Sequence, residues 1–409
     1  MKGFDRERAL ACREDFPALA RQQAGVSLAY FDGPGGTQVP ARVIEAVADY
    51  YRFYNANIHG MFVTTQETDR MLQNAREAMA DFLGAASWRC ISFGANMTTL
   101  NYSLSHAIAR ELHPGDEILV TQLDHEANRG PWLNLAQYGT VVREVALLPS
   151  GELDYDDMRA KIGGRTKLVA MGMSSNALGT ANNVALAREL SASVGAYLML
   201  DAVHYAPHQP LDAEGIGVDF LICSAYKFYG PHVGVLYAKP GLLERLQTDA
   251  LSTQEQAAPY RIETGTLNHA SIAGALAAVD YIASFGQGEA RREKILSAMA
   301  GIAIYEHGLA KRYYEEVARI PGVRVVGPDF DGHRVPTVSI AIEGLEPQEA
   351  ARQLGEKGIC VWDGDFYAAR AIEVLGLKER GGVLRIGISM YNTDEEVDRL
   401  LEGIRNLRK

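Results

Sequence analysis

Lys227 stands in an unusual setting for a lysine. It follows an apolar run, Phe220-Leu-Ile-Cys-Ser224, and is followed by Phe-Tyr-Gly-Pro-His. A lysine held among apolar and aromatic groups has its amine favoured over its ammonium, and a neutral amine can form a Schiff base with a carbonyl. A second apolar run, Tyr197-Leu-Met-Leu, ends in Asp201. An amine and a carboxylate are thus each delivered at the end of a predicted strand. Asp201, His204 and His208, with Asp124 and His125 elsewhere, also offer zinc-type ligands and so a metal-dependent hydrolase as an alternative from another class. Pro207 speaks against that alternative, because it makes the stretch a loop rather than a helix that aligns residues four apart.

The elements that must position these groups follow from the hydrophobic pattern. Seven short β-rich segments fall at 90–93, 117–121, 141–145, 167–171, 197–201, 220–224 and 233–237. Helical stretches lie between several of them, one from Met97 with Leu100, Leu104, Ala107 and Ile108 on one face, another over 183–194. Strand–helix alternation with apolar strands predicts an α/β fold whose largely parallel sheet is covered on both faces. Ligands of such sheets sit beyond the strand C-terminal ends. After Gly286 the pattern changes to a charged helix (289–319), strands at 323–326, 337–342, 359–362 and 383–389, a helix at 347–357, and a last helix from Thr393, which has capping-box spacing to Glu396. This predicts a smaller α+β domain.

Composition narrows the function classes. The chain has 409 residues, with 40 basic and 51 acidic side chains giving a net charge of −11. That sign argues against coating nucleic acid or an anionic membrane, though not against a local anion pocket. Cys12, Cys90, Cys223 and Cys360 form no CxxC pair and are too scattered for a disulfide framework. The N-terminus lacks the apolar core of a signal peptide, and the most apolar helical stretch, 271–285, is too short to span a bilayer and contains Asp280. A cytoplasmic protein is expected, with neither nucleic acid nor membrane as a partner.

The order and spacing of several motifs resemble the class V aminotransferase family of pyridoxal-phosphate enzymes, in its cysteine desulfurase-like branch. They are Tyr30-Phe-Asp-Gly-Pro-Gly-Gly-Thr, Tyr54-Asn-Ala-Asn-Ile-His-Gly, Phe93-Gly-Ala-Asn-Met-Thr, Leu123-Asp-His-Glu-Ala-Asn, Ser175-Asn-Ala-Leu-Gly-Thr, Asp201-Ala-Val-His, Ser224-Ala-Tyr-Lys, Glu263-Thr-Gly-Thr and Arg385-Ile-Gly-Ile-Ser-Met-Tyr-Asn-Thr. The resemblance implies fold type I, with a large domain of seven mainly parallel strands at 25–285 and a small domain from 1–24 and 286–409. It implies pyridoxal 5′-phosphate as cofactor, carried by Lys227, which once displaced by substrate moves protons at Cα and at the cofactor's C4′. Asp201 would hold the pyridine nitrogen protonated, His125 would stack on the ring and donate or accept a proton, and Asn176 and His204 would meet the ring hydroxyl. The phosphate would be bound by Ala95 and Asn96 at a strand–helix turn and by Ser224, with Tyr226 donating a phenolic hydrogen bond where the family generally has histidine. Thr266 would reach the phosphate of a second subunit, making a homodimer. Arg385 would pair with the substrate's α-carboxylate, and Asn57 and His59 would belong to a segment that closes over the substrate.

One departure bears on the reaction. Desulfurases of the family place a persulfide-forming cysteine on a loop of the small domain, in a motif that opens with arginine. Here Gly364 aligns, Trp362 takes the arginine position and Tyr367 the cysteine position, with Asp363 and Asp365 beside them. Cys360, the nearest thiol, reads as a small core residue. A tyrosine cannot form a persulfide. The expectation is therefore β-elimination from a cysteine-related small amino acid through a Cα carbanion, as in C–S lyases, with transamination, epimerisation or decarboxylation as alternatives within the family. No bound metal is expected.

Overall fold

The apolar runs of the first part of the chain form one sheet. The computed structural model describes residues 4–23 and 25–408. Its strands are β1 (Ile91–Gly94), β2 (Glu117–Thr121), β3 (Val141–Val145), β4 (Thr166–Gly172), β5 (Tyr197–Asp201), β6 (Phe220–Ser224) and β7 (Gly234–Ala238). They lie in the order β1-β7-β6-β5-β4-β2-β3. β2 pairs in parallel with β3 and β4, β4 with β5, and β5 with β6, whereas β7 runs antiparallel to both its neighbours. The seven strands match the predicted segments to within a residue or two, and their burial explains the near-continuous apolar runs: both faces are covered.

The cover comes from helices α1 (Ala41–Asp49), α2 (Val63–Leu83), α3 (Met97–Ala109), α4 (Glu126–Leu133), α5 (Val184–Ser193) and α6 (His269–Ala283). Successive strand residues point to opposite faces. Ile118, Val120 and Ile222 therefore pack with Leu100, Leu104 and Ile108 of α3 and Trp132 of α4, while Leu119, Leu221 and Cys223 face the core shared with α2 and α6. The start of α3 is pressed against β7. A Cβ on Gly234 would lie 2.3 Å from the backbone carbonyl carbon of Asn96, so only glycine lets the helix begin there.

The rest of the chain adds α7 (Arg291–Val317), β8 (Val323–Val326), β9 (Thr337–Ile342), α8 (Pro347–Glu356), β10 (Trp362–Gly364), β11 (Val383–Gly387) and α9 (Asp394–Arg405). Its four strands form an antiparallel sheet in the order β8-β9-β11-β10. Val338, Ile340, Leu384 and Ile386 meet Leu309 and Tyr313 of α7 and Leu400 and Leu401 of α9. The expected capping box opens α9, with Thr393 and Glu396 each bonded to the other's backbone N–H. The N-terminal arm serves both cores. Phe4, Phe16 and Leu19 pack with the large sheet's helices, and Ala29 and Phe31 pack into the small-sheet core.

The segment predicted as one strand at 359–362 is two. Ile359–Cys360 pairs in parallel with Ala29–Tyr30, and the chain then changes partner so that Trp362–Gly364 joins β11. Alternation along that short strand buries Ile359 and leaves Cys360 half-exposed, so Cys360 is not the core residue the sequence suggested. Among the described residues, no helix is long and apolar enough to cross a membrane.

Candidate active site

The C-terminal ends of β1, β2, β4, β5 and β6 open on the same side of the sheet. Just beyond them stand Asn96, His125, Asn176, Asp201, Ser224 and Lys227, which line one pocket. The β6–β7 hairpin carries Lys227 back over the sheet, and its side chain is almost wholly buried. Its Nζ donates to the carbonyl oxygens of Pro34 and, at 3.0 Å, of Gly35. Burial, then the Arg385 charge, lowers its pKa from the usual 10.5 to about 7, despite Asp32 and Asp201. A substantial neutral fraction is present at neutral pH.

Asp201 is buried at the end of β5, where its Oδ1 accepts from Val203 N at 2.9 Å. Burial raises its pKa to about 7, with the neighbouring Asp124 carboxylate adding to the rise. Such a carboxylate is stabilised by any cationic N–H brought to its second oxygen. His125 caps α4: its Nδ1 accepts from Ala127 N at 2.9 Å. That bond leaves the proton of the neutral imidazole on Nε2, so the ring is a donor there rather than a base. Burial, together with the Lys227 and Arg385 charges, pulls its pKa down to about 4, which keeps it neutral.

On the other side, His204 Nε2 shares a 2.9 Å hydrogen bond with Thr337 Oγ1 of β9, and its buried Nδ1 has no partner among the described residues. Ser174 Oγ lines the same pocket, also buried without a partner. Asn176 Nδ2 donates to Phe366 O at 2.9 Å. Toward α3, Ser224 Oγ accepts from Met97 N at 3.0 Å and Asn96 Oδ1 accepts from Thr99 N at 2.9 Å. Thr98, whose N–H has no acceptor within its own helix, faces the pocket between them. A helix N-terminus with a serine hydroxyl beside it is an anion site. Ala95 is exposed and does not line the pocket. Tyr226 does, with its ring stacked on His232 at 4.6 Å and 12°.

A wider cleft of about 570 Å³ continues outward from Lys227, and Arg385 of β11 lies in its wall. The guanidinium is buried. Nη2 is bound to Asp32 Oδ1 at 2.9 Å, Nη1 reaches Asn176 O at 3.3 Å, and Nε has no partner among the described residues. The Phe366 ring covers it at 4.1 Å. Tyr367 is at the mouth with its ring 5.4 Å from His125. Asp365 Oδ1 accepts from Tyr367 N at 2.9 Å, while Asp363 sits opposite Leu384 in the small sheet.

Several predicted residues lie elsewhere. Thr266, Asn57 and His59 are absent from the Lys227 pocket and line a separate cleft with Arg76 and Glu263. All three are exposed. Cys360 lines neither part of the site. The residues of the metal alternative are turned to other groups: His204 bonds Thr337 through Nε2, leaving only Nδ1 open, and His208 Nδ1 is bonded to Glu306 Oε2 at 2.7 Å. Among the described residues, no group of three or more His, Cys, Asp or Glu side chains is placed to hold a metal ion. Sequence reasoning missed Asp32, Thr337 and Phe366. Asp32 was visible in the motif beginning at Tyr30; the other two carried no signal of their own.

The profile described as Aminotransferase class-V matches residues 29–400. The chain belongs to the class V aminotransferase family. A probable cysteine desulfurase of Streptomyces coelicolor is 31% identical to this chain over 418 aligned residues, covering 97% of this chain and 96% of the relative. The apo structure of a cysteine desulfurase from Thermococcus onnurineus NA1 superposes with a TM-score of 0.88 at 27% identity, over 99% of this chain and 98% of that one. The S-sulfonic acid form of the cysteine desulfurase CsdA from Escherichia coli gives a TM-score of 0.85 at 27% identity, over 97% of each chain. The chain is therefore a pyridoxal-phosphate-dependent enzyme of fold type I. The pocket fits that cofactor by its own chemistry: an amine of lowered pKa at Lys227, a buried carboxylate at Asp201, polar atoms of His204 and Ser174 without a partner among the described residues, and an anion site at the start of α3.

Proposed function

We propose that this enzyme acts on a cysteine-derived amino acid and cleaves its Cβ–S bond by β-elimination, without a persulfide on the protein. Pyridoxal phosphate, when bound, supplies the electron sink that stabilises a carbanion at the substrate's Cα. Lys227 would hold it and then carry the Cα proton, Asp201 would hold the ring nitrogen protonated, and Asn176 and His204 would meet the ring oxygen. His125 would stack on the ring with its Nε2–H toward the substrate. Ser224, Asn96 and the α3 N-terminus would take the phosphate, and Arg385 the substrate carboxylate.

The observation that carries the choice of elimination is the absence of a thiol in the site. Cys12, Cys90 and Cys223 are buried in cores, Cys360 lies outside the cleft, and burial pushes all four thiols up in pKa. A thiolate nucleophile for the substrate sulfur is therefore missing, so the sulfur leaves as a thiol instead. In balance, the Cα–H bond breaks with its proton passing to Lys227, the electron pair forms Cα=Cβ, and the thiolate departs and takes up a proton. Water then releases pyruvate and ammonia; nothing is oxidised. The test incubates the pure holoenzyme with a panel of cysteine derivatives and follows products by mass spectrometry. Thiol, pyruvate and ammonia in equal amounts, without added keto acid, are expected. Strict dependence on a keto-acid acceptor would mark an aminotransferase instead.

We also propose a homodimer in which Thr266 completes the partner's site. In support, Thr266, Asn57 and His59 line a cleft apart from Lys227, next to an exposed apolar stretch containing Phe53, Met61, Phe62 and Val63.

A further inference from the structure

The outer half of the cleft is built from aromatic rings. Trp362 and Tyr367 are 56% and 70% exposed, and with Tyr102 of α3 and the buried Phe366 they wall the way out from Lys227. Trp362 stands directly opposite Arg385 in the β10–β11 pairing, so its ring is set beside the group that anchors a carboxylate. Phe366 and Tyr367 hold their places against the backbone's preference. Both have positive φ, 56° and 58°, a conformation disfavoured for bulky residues. Three bonds hold the turn: Asn176 Nδ2 to Phe366 O at 2.9 Å, Glu126 N to Tyr367 O at 2.7 Å, and Tyr367 N to Asp365 Oδ1 at 2.9 Å. Backbone strain fixed by the residues of the reaction pocket is a device for aiming side chains, and here it aims rings at the mouth.

Size and charge narrow what those rings meet. The cleft of about 570 Å³ also takes the amino-acid part of the substrate between Lys227 and Arg385, and is in the range of sites for drug-sized ligands. The carboxylates at its wall are engaged: Asp32 with Arg385, and Glu126 with Arg129 at 3.1 Å. Asp32 is thereby compensated, while Glu126 shares Arg129 with Glu144. With Arg385 holding the α-carboxylate and Lys227 at Cα, a substituent on sulfur points toward Trp362 and Tyr367. We propose that the substrates are cysteine thioethers whose sulfur carries an aromatic or large apolar group, and that Trp362, Phe366, Tyr367 and Tyr102 select that group. This deepens the elimination reading and rests on it for which bond breaks: R–S–CH2–CH(NH3+)–COO− and water give R–SH, pyruvate and ammonium, with no change in overall oxidation state.

The test separates selection from reaction. Holoenzyme is titrated calorimetrically with 3-(benzylthio)propanoic acid and 3-(methylthio)propanoic acid, which lack the amine and cannot react. The benzyl compound is expected to bind about 10–100-fold more tightly, and Trp362→Ala or Tyr367→Ala to reduce that ratio about tenfold each. Equal or weaker binding of the benzyl compound, or a ratio untouched by both substitutions, overturns the inference. Turnover of S-benzyl-L-cysteine is read separately. Phenylmethanethiol and pyruvate support elimination, whereas amine transfer to a keto acid with the benzyl preference intact would sink elimination alone and leave the selection standing.

Discussion

The amine of Lys227 owes its reactivity to its surroundings. With a pKa of about 7 it has a substantial neutral fraction at neutral pH, where a surface lysine is fully charged. Capture of pyridoxal phosphate by the cofactor-free protein should accelerate about tenfold per pH unit up to about pH 7 and then level off, because only the neutral amine attacks the aldehyde. Stopped-flow absorbance checks this, and a rate still climbing at pH 9 would contradict it. Asp201 shows the opposite shift at a cost to stability. Its folded pKa of about 7 exceeds the ordinary 3.8, so the folded state binds the extra proton between those values and stability falls as pH rises through that window. Cofactor-free Asp201→Asn should therefore be more stable than wild type at pH 8, on the order of 2–4 kcal/mol by thermal or denaturant melting, while binding cofactor more weakly. Equal stability at pH 8 would refute the buried, unpaired carboxylate. Both residues were legible in the sequence because each ends an apolar run. The Asp32–Arg385 pair was not, since its members are 353 residues apart and nothing local to either indicates the other.

At the scale of elements, the segment bearing Thr266 is tied to the sheet by a buried ion pair. Arg76 of α2 meets Glu263 through two bonds, Nη1 at 2.7 Å and Nη2 at 2.8 Å, and also donates to Ile91 O. The Glu263 carboxylate accepts from Phe93 N at 2.7 Å, and the rings of Phe93 and Tyr260 flank the guanidinium. Arg76→Met leaves a buried carboxylate without its partner and should cost about 3–5 kcal/mol in a denaturant titration. Arg76→Met with Glu263→Gln together should recover much of that loss, since no lone charge then remains. A double variant as unstable as the single one would show that shape, not charge, sets the cost. The motif at Glu263 was visible in the sequence, whereas helix α2 was not among the predicted helices, and their meeting is a tertiary fact. The same holds for 359–362, where hydrophobic pattern announced a strand and only packing decided that it changes partner at Val361.

For the whole molecule, the question is whether the site is finished within one chain. The alternation of strands and helices makes the α/β sheet and its ligand-bearing edge readable in the sequence, because burial on both faces imposes a pattern on it. The distance between Thr266 and Lys227 is set by folding and carried no such pattern. If Thr266 acts on the partner's cofactor, two defective chains can repair one another. Lys227→Ala removes the reactive amine, and about 10³-fold or more of the activity with it. Thr266→Ala removes a phosphate hydroxyl and weakens activity at limiting cofactor. In a hybrid dimer, one site takes Lys227 from the Thr266→Ala chain and Thr266 from the Lys227→Ala chain and is intact. Dissociating and reassociating an equal mixture should give about half hybrids, and so about a quarter of wild-type activity at limiting cofactor. If Thr266 served its own chain, or the protein were monomeric, the mixture would give only the average of its parents.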